Sequence, residues 1–83
     1  MIVLREESDT AQIEKLMASF KLTQRESEVL NWVIKGKTNR DIGDILGTSP
    51  RTINKHLEHV FVKLGVETRT SAASVALARI ERS

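Results

Sequence analysis

The chain is a short, mildly basic sequence without cysteine. Its 83 residues allow one small domain at most, and 40% hydrophobic with 29% charged residues are typical of a globular chain rather than a disordered one. The lack of cysteine excludes disulfides and thiolate metal sites and fits a cytoplasmic protein. No apolar run reaches membrane-spanning length and the N-terminus lacks the basic region of a signal peptide, so a membrane is not an expected partner.

Charge is distributed unevenly along the sequence, whose formal net charge is +2. Residues 1–33 carry four Lys and Arg against six Asp and Glu, whereas residues 34–83 carry nine against five. An excess of positive charge confined to one part of a small domain favours a polyanionic partner. A solvated surface would have the same composition, so charge alone does not decide between the two interpretations.

Residues 1–20 are predicted to be a linker or leader ahead of a domain at 21–83. Residues 1–4 are apolar and are either the last strand of a preceding domain or a frayed tail. Ser8 or Asp9 could cap a short helix over residues 9–19, where apolar residues have helical spacing. The alternative is a genuine N-terminal helix of a self-contained protein.

Thr23 marks the start of the first clear helix. Glu26 follows three residues later, and this capping box lets each side chain bond the backbone N–H of the other residue. The helix is predicted to run to about Lys35 and to end at Gly36. Its predicted buried residues are Val29, Leu30, Val33 and Ile34, with Trp32 packing at the edge.

Thr38 is the predicted N-cap of a second, shorter helix that Gly47 ends. Gly43 lies inside this helix, where glycine costs about 1 kcal/mol relative to alanine, so we expect a second helix to approach closely there. The residues predicted to point inward are Ile42, Ile45 and Leu46. A short helix with a small residue inside, a glycine turn and a second capped helix form the helix-turn-helix pattern.

Residues 50–64 form the predicted recognition helix of this pattern. Ser49 is a favourable N-cap, Pro50 suits the first helical position and Gly65 suits the C-cap. The apolar stripe consists of Ile53, Leu57, Val60 and Leu64. The other faces carry hydroxyls, an amide and cations, which are the groups that bond base edges and phosphates.

Thr68 is predicted to cap a last helix that runs to about Ile80. Its small and apolar residues offer more surface than one buried stripe needs, and Leu77 and Ile80 are the predicted core contacts. The excess suggests a two-fold dimer contact through Ala72, Ala73 and Ala76. The alternative is that residues 10–20 cover this helix within one chain.

Four sequence blocks then point to a known family. They are Leu22 to Leu30 (LTQRESEVL), Gly36 to Ile42 (GKTNRDI), Ser49 to His56 (SPRTINKH), and Lys63 to Val66 (KLGV) followed by Arg69 and Thr70. In this order they resemble the LuxR-type helix-turn-helix domain over residues 22–80. The resemblance implies an all-α, four-helix domain of a sequence-specific transcriptional regulator, with the third helix in the major groove of double-stranded DNA. It also implies a dimer through the fourth helix, an upstream sensor or response-regulator receiver domain, and RNA polymerase as a partner.

The resemblance also assigns the DNA contacts. Phosphate contacts fall on Lys37, Thr38, Asn39, Arg40, Ser49, Arg51 and Thr52, and base-reading positions fall on Asn54, Lys55, Glu58 and His59. Lys63 either contacts a phosphate or pairs within the fold. Glu26 is expected to serve the capping box and is a candidate partner for a cation such as Lys63 or Arg69. Many family members carry lysine at the position of Asn54. Asparagine pairs with adenine and lysine with guanine, and Glu58 could accept from cytosine, so the expected target sequence differs.

Other function classes are weaker fits. Glu58 on the reading face favours a protein-interaction module that kept the fold and lost DNA binding. Sigma-factor-like promoter-binding domains share the first three helices but usually lack the final KLGV and Arg-Thr blocks. His56 and His59 lack a third ligand nearby in sequence, and no pocket motif or phosphate loop is present, so no metal, cofactor or enzyme activity is predicted.

Overall fold

The computed structural model describes the backbone of residues 2–82 and the side chains of residues 9–81. Within these residues the chain is all-helical. Its helices are α1 (Ile2–Phe20), α2 (Gln24–Ile34), α3 (Asn39–Leu46), α4 (Pro50–Leu64) and α5 (Arg69–Arg82). No described helix is long and apolar enough to cross a membrane. The four predicted helices of residues 21–83 are therefore present, and the predicted N-terminal extension adds a fifth.

Helix α1 is longer than the sequence predicted. It begins at Ile2 rather than near residue 9, so Ser8 and Asp9 lie inside the helix and cap nothing, and residues 2–4 are neither strand nor frayed. Met1 lies outside the described residues. Lys21 ends the helix in the left-handed region at φ 57°, and the Leu22 N–H donates to the Met17 carbonyl at 3.2 Å.

Tertiary packing stabilises the second half of α1, because helices in proteins are stabilised mainly by the face they bury. The helix packs against α2 and α5. Leu16 is fully buried in the core, and Phe20 packs against it. The Arg79 guanidinium of α5 lies 5.2 Å from the centroid of the Phe20 ring. Residues 9–20 therefore form part of the same folded body as the helix-turn-helix region.

Polar contacts also join α1 to α2. Asp9 pairs with Lys35, and the Gln12 side-chain amide donates to the Asn31 side-chain oxygen Oδ1. Asn31 and Ser27 are fully buried, and neither the Asn31 amide nitrogen nor the Ser27 hydroxyl has a hydrogen-bond partner among the described residues. These polar groups fix the register of α1 on α2 at some expense in stability.

The core lies around α2, which packs against α1, α4 and α5. Its buried hydrophobic residues are Leu16, Leu22, Val29, Leu30, Val33, Ile42, Ile53, Leu57, Val60, Ala72 and Ala76. Two residues predicted to be buried are not, since Ile45 is 46% exposed and Leu77 is 43% exposed. Each lies next to the buried stripe of its own helix: Ile42 and Leu46 carry the contact on α3, and Ala76 and Ile80 carry it on α5.

Gly43 lies where the turn after α3 crosses back over that helix. A Cβ atom placed on Gly43 would lie 2.5 Å from the Thr48 carbonyl oxygen and 3.4 Å from the Pro50 nitrogen. The predicted close approach at Gly43 is therefore present. The backbone of the turn makes it, however, and not the side of a second packed helix.

Candidate nucleic-acid interface

Helices α3 and α4 are joined by a tight turn that fixes the angle between them. Gly47 adopts the left-handed region at φ 74°, and the Thr48 N–H donates to the Gly43 carbonyl at 2.8 Å. The Ser49 hydroxyl accepts from the Thr52 N–H at 3.2 Å and caps α4, with Pro50 in the first helical position as predicted. This turn holds α4 in one orientation on α3.

Helix α4 separates a buried apolar face from an exposed polar face. Ile53, Leu57 and Val60 are buried, and Leu64 is half-buried at the end of the same stripe. The four predicted base-reading residues, Asn54, Lys55, Glu58 and His59, are all exposed. A helix held by one face and free on the other can enter the major groove, which is wide enough to admit an α-helix.

Two of the predicted base-reading residues bond each other on this face. The Asn54 amide nitrogen donates to a Glu58 carboxylate oxygen at 3.3 Å, one helical turn away. The bond orients the Asn54 amide along the helix in the free protein. Before Asn54 can donate that hydrogen to a base, the contact with Glu58 must break.

The start of α3 exposes a second polar surface. Thr38 and Asp41 form a capping box, in which the Asp41 N–H donates to the Thr38 hydroxyl at 3.1 Å. The hydrogen bond from the Thr38 backbone N–H holds the pKa of Asp41 below its ordinary value. Lys37 and Arg40 flank this cap and are exposed. Exposed cations at the start of a helix can contact a phosphate.

Hydroxyl groups at both helix starts remain compatible with phosphate contact. The Thr38 hydroxyl accepts from a backbone N–H, so its own hydrogen can still be donated. The Ser49 and Thr52 hydroxyls lie 3.1 Å apart and share one hydrogen, which leaves the other for a ligand. Arg51, between them, is exposed.

Arg69 connects α5 to the start of α3, and not to Glu26, whose cationic partner is Lys63. Its guanidinium donates to the Asn39 side-chain oxygen at 2.6 Å and to the Lys37 carbonyl. Asn39, a predicted phosphate ligand, therefore keeps only its amide nitrogen for that role. No spacing rule connects residues 30 positions apart, so only the folded structure identifies Arg69 as a support for the start of α3.

Glu26 links the scaffold to the far end of α4. Its carboxylate is only 6% exposed, completes the capping box with Thr23, and accepts from the Lys63 ammonium at 2.8 Å. Lys63 also donates to the Lys21 carbonyl at 3.3 Å, and His59 Nδ1 lies 3.6 Å from the carboxylate. Of the two roles considered for Lys63, the structure shows the pairing within the fold.

The contact between Glu26 and Lys63 leads to a prediction about the free energy of unfolding and its pH dependence. Burial raises the pKa of Glu26, but the hydrogen bonds from Lys63 and Thr23 together outweigh it and hold the pKa below its ordinary value. Glu26 therefore stabilises the fold above its unfolded-state pKa, and this contribution is lost as pH falls through the lower folded-state value. Lys63→Met should destabilise the domain by about 1–2 kcal/mol at pH 7, a range reduced because Lys63 is about one-third exposed.

Urea unfolding at several pH values, with an NMR titration of the Glu26 carboxyl carbon, measures both effects. The variant should raise the pKa of Glu26 and move acid unfolding to higher pH. Lys55→Met is the control, because Lys55 is an exposed cation of the same helix. Equal loss of stability in the two variants would contradict a specific role for Lys63.

The predicted dimer residues are placed differently from expectation. Ala72 and Ala76 are fully buried within one chain, and Ala73 packs against the core. Ala72 and Ala76 therefore offer no free surface to a second copy, whereas Ala73 is partly exposed. The large exposed apolar residues of α5 are Val75, at 36%, and Leu77, at 43%. A dimer contact through α5 would use these residues instead.

Metal chemistry has no support in this region. Among the residues that the structure describes, no group of three or more His, Cys, Asp or Glu side chains is arranged to hold a metal ion. His56 is half-buried on α4, and His59 is directed to Glu26. The exposed functional groups along α3 and α4 are hydroxyls, amides and cations, together with the carboxylates of Asp41, Asp44 and Glu58.

A short helix, a left-handed glycine turn and a capped second helix with an exposed polar face define a helix-turn-helix DNA-binding domain. Comparison with known proteins agrees. Residues 21–76 match the family model described as bacterial regulatory proteins, luxR family. The chain belongs to this family and is the DNA-binding domain of a transcriptional regulator.

Similar proteins carry names of the same kind. The transcriptional activator AnoR of Acinetobacter nosocomialis is 46% identical over 52 residues, which are 63% of this chain and 22% of that protein. SolR of Ralstonia solanacearum is 46% identical over 57 residues, 69% of this chain and 24% of SolR. LuxR of Aliivibrio fischeri is 43% identical over 56 residues, 68% of this chain and 22% of LuxR. The match spans about a quarter or less of each relative, and no solved structure matches the chain.

Proposed function

We propose that α4 lies in the major groove of double-stranded DNA while the starts of α3 and α4 hold the flanking phosphates. The observation that carries this proposal is the exposed polar face of α4, held on the core by its buried stripe. The proposed phosphate contacts are Lys37, Thr38, Asn39, Arg40, Ser49, Arg51 and Thr52. Lys63 can contact a phosphate only if its salt bridge with Glu26 breaks.

Base recognition is assigned to Asn54, Lys55, Glu58 and His59 on the exposed face of α4. Asn54 can donate to and accept from the major-groove edge of adenine, and Lys55 can donate to guanine. Glu58 can accept from cytosine, but its charge opposes nearby phosphates. The pairing of Asn54 with Glu58 supports a mechanism in which the correct base sequence replaces that internal bond.

Asn54→Ala should relax base preference at one or two positions and weaken binding to the preferred site by about 1–3 kcal/mol. The reason is the loss of a bidentate amide, which carries sequence information and little charge. Selection of sites from a random duplex pool, for wild type and variant, measures the change. Unchanged preferences in the variant would remove Asn54 from the reading face.

Arg40→Ala should weaken binding to all sequences alike and reduce the magnitude of the log–log salt slope by about one. Arg40 is an exposed cation at the start of α3, so its proposed partner is a phosphate that every sequence presents. Fluorescence anisotropy across a range of salt concentrations measures the slope. Lys15→Ala, which removes an exposed cation of α1, should leave the slope unchanged.

The assembled regulator is proposed to be a cytoplasmic homodimer that binds two half-sites about one helical turn apart. Val75 and Leu77 of α5 supply the exposed apolar surface for the dimer. The much greater length of the relatives supports a further sensor or receiver domain. Their names as transcriptional activators support RNA polymerase as a partner.

One observation favours a second function, a protein-interaction module without DNA binding. Glu58 places a negative charge on the exposed face of α4, where it would oppose phosphates. Such a module would show no salt-dependent affinity for DNA. Four exposed cations at the helix starts and on the reading face favour the DNA-binding function instead. They are Lys37, Arg40, Arg51 and Lys55.

A further inference from the structure

A groove lies between α1 and the start of α2, away from the proposed DNA contacts. Its volume is about 320 Å³, and it is lined by Thr10, Ile13, Glu14, Met17, Gln24 and Glu28. We propose that this groove docks a partner protein through a short segment in which an aliphatic side chain is flanked by lysine or arginine. The partner would be held at the same time as DNA, on the opposite side of the domain.

The position of the groove follows from the geometry of α2. Glu26 faces α4, because its carboxylate contacts Lys63 and His59. Gln24 and Glu28 line the groove with α1, and each lies two positions from Glu26, about 200° around the helix axis. Helices α1 and α4 therefore lie on nearly opposite faces of α2, and a ligand on α4 leaves the groove open.

The floor and size of the groove suit a side chain rather than a whole helix. Ile13 and Met17, one turn apart on α1, are both half-buried and provide an apolar floor. Methionine adapts its shape easily to different aliphatic partners. The volume lies at the lower end of the range for ligand pockets, which matches one or two inserted side chains.

The rim of the groove selects for positive charge. One carboxylate oxygen of Glu28 pairs with Arg25 at 3.2 Å, and the other accepts from the Gln24 amide at 3.3 Å. Glu14 is exposed and forms no ion pair with the described residues. The unpaired Glu14 carboxylate beside an apolar floor attracts a cation next to an aliphatic group and repels a phosphate backbone. This complementarity favours a basic protein segment over nucleic acid.

Selection of phage-displayed random heptapeptides on the immobilised chain tests the proposal, without DNA. Enriched peptides should place Leu, Ile or Met beside Lys or Arg. NMR titration with the most enriched peptide should shift the amide signals of Ile13 and Met17 most. Acidic or neutral consensus sequences, no enrichment, or shifts confined to α4 would each overturn the proposal.

Matched variants separate groove binding from general charge attraction. Glu14→Gln should weaken peptide binding about 2–5-fold, the effect of losing one exposed ion pair. Glu67→Gln, which removes an exposed carboxylate elsewhere, and Asn54→Ala, on the reading face, should leave peptide affinity unchanged. Equal weakening by Glu67→Gln would overturn the proposal. Since no DNA is present, the result is independent of the proposed DNA-binding mode.

Discussion

Leu16→Ala should lower the free energy of unfolding by about 2–5 kcal/mol, the usual range for a buried leucine replaced by alanine. Leu16 is fully buried although it lies in the segment predicted to be a linker or leader. A domain of 83 residues has little core to spare, so such a loss is a large share of its total stability. Urea unfolding followed by far-UV circular dichroism measures the change.

Lys15→Ala is the matched control for Leu16→Ala, because Lys15 is the exposed neighbour on the same helix. It should change stability by less than about 0.5 kcal/mol. If Leu16→Ala were as mild as this control, α1 would not be part of the core. The segment would then act as the linker that the sequence suggested.

Gly43→Val should destabilise the domain by about 2–3 kcal/mol and weaken DNA binding further. A Cβ atom on residue 43 would meet the Thr48 carbonyl oxygen at 2.5 Å, so the turn must move before any side chain fits. Moving the turn tilts α4 relative to α3 and displaces the reading face. Gly43→Ala should cost less, because the gain of about 1 kcal/mol in helix propensity offsets part of the clash.

Asp44→Val is the control for Gly43→Val. Asp44 is exposed on the same helix, so the variant carries the helix penalty of a β-branched residue without a clash. Thermal unfolding and anisotropy with a DNA duplex measure stability and affinity together. Equal effects of Gly43→Val and Asp44→Val would show that the turn tolerates a side chain at residue 43.

Local signals in the sequence predicted the helix-turn-helix region well. The capping box at Thr23, the N-caps at Thr38 and Ser49 and the C-cap at Gly65 are all present. The Ser71 N–H donates to the Thr68 hydroxyl at 3.0 Å, which confirms the predicted start of α5. These features depend on residues three or four positions apart, so sequence spacing reveals them.

Features that depend on tertiary packing were less predictable. Leu16 of α1 is buried against other helices, and the sequence pattern did not show that this segment belongs to the core. Small residues on α5 suggested a dimer contact, but Ala72 and Ala76 fill the core of a single chain. Small residues allow close packing within or between chains, so composition alone cannot distinguish the two.

The candidate site also combines features that the local sequence predicted with features that only the fold reveals. Exposure of Asn54, Lys55 and Glu58 follows from the apolar stripe of α4, which the sequence displayed directly. The contacts that support the site, from Arg69 to Asn39 and from Lys63 to Glu26, join residues 30 and 37 positions apart. The sequence offered Glu26 as a candidate partner of Lys63. It did not, however, suggest the contact between Arg69 and Asn39, which only the fold shows. These contacts determine which predicted ligands already have a partner within the domain.

Salt-dependent binding to a random duplex pool is the most direct test of DNA binding by this chain. Fluorescence anisotropy from 50 to 200 mM salt should give a log–log slope of about −3 per bound domain, if Lys37, Arg40 and Arg51 each neutralise one phosphate. Enrichment of preferred sequences from the same pool should then depend on Asn54. No binding at the lowest salt concentration, or affinity independent of salt, would contradict the proposed DNA interface and favour the protein-interaction function suggested by Glu58.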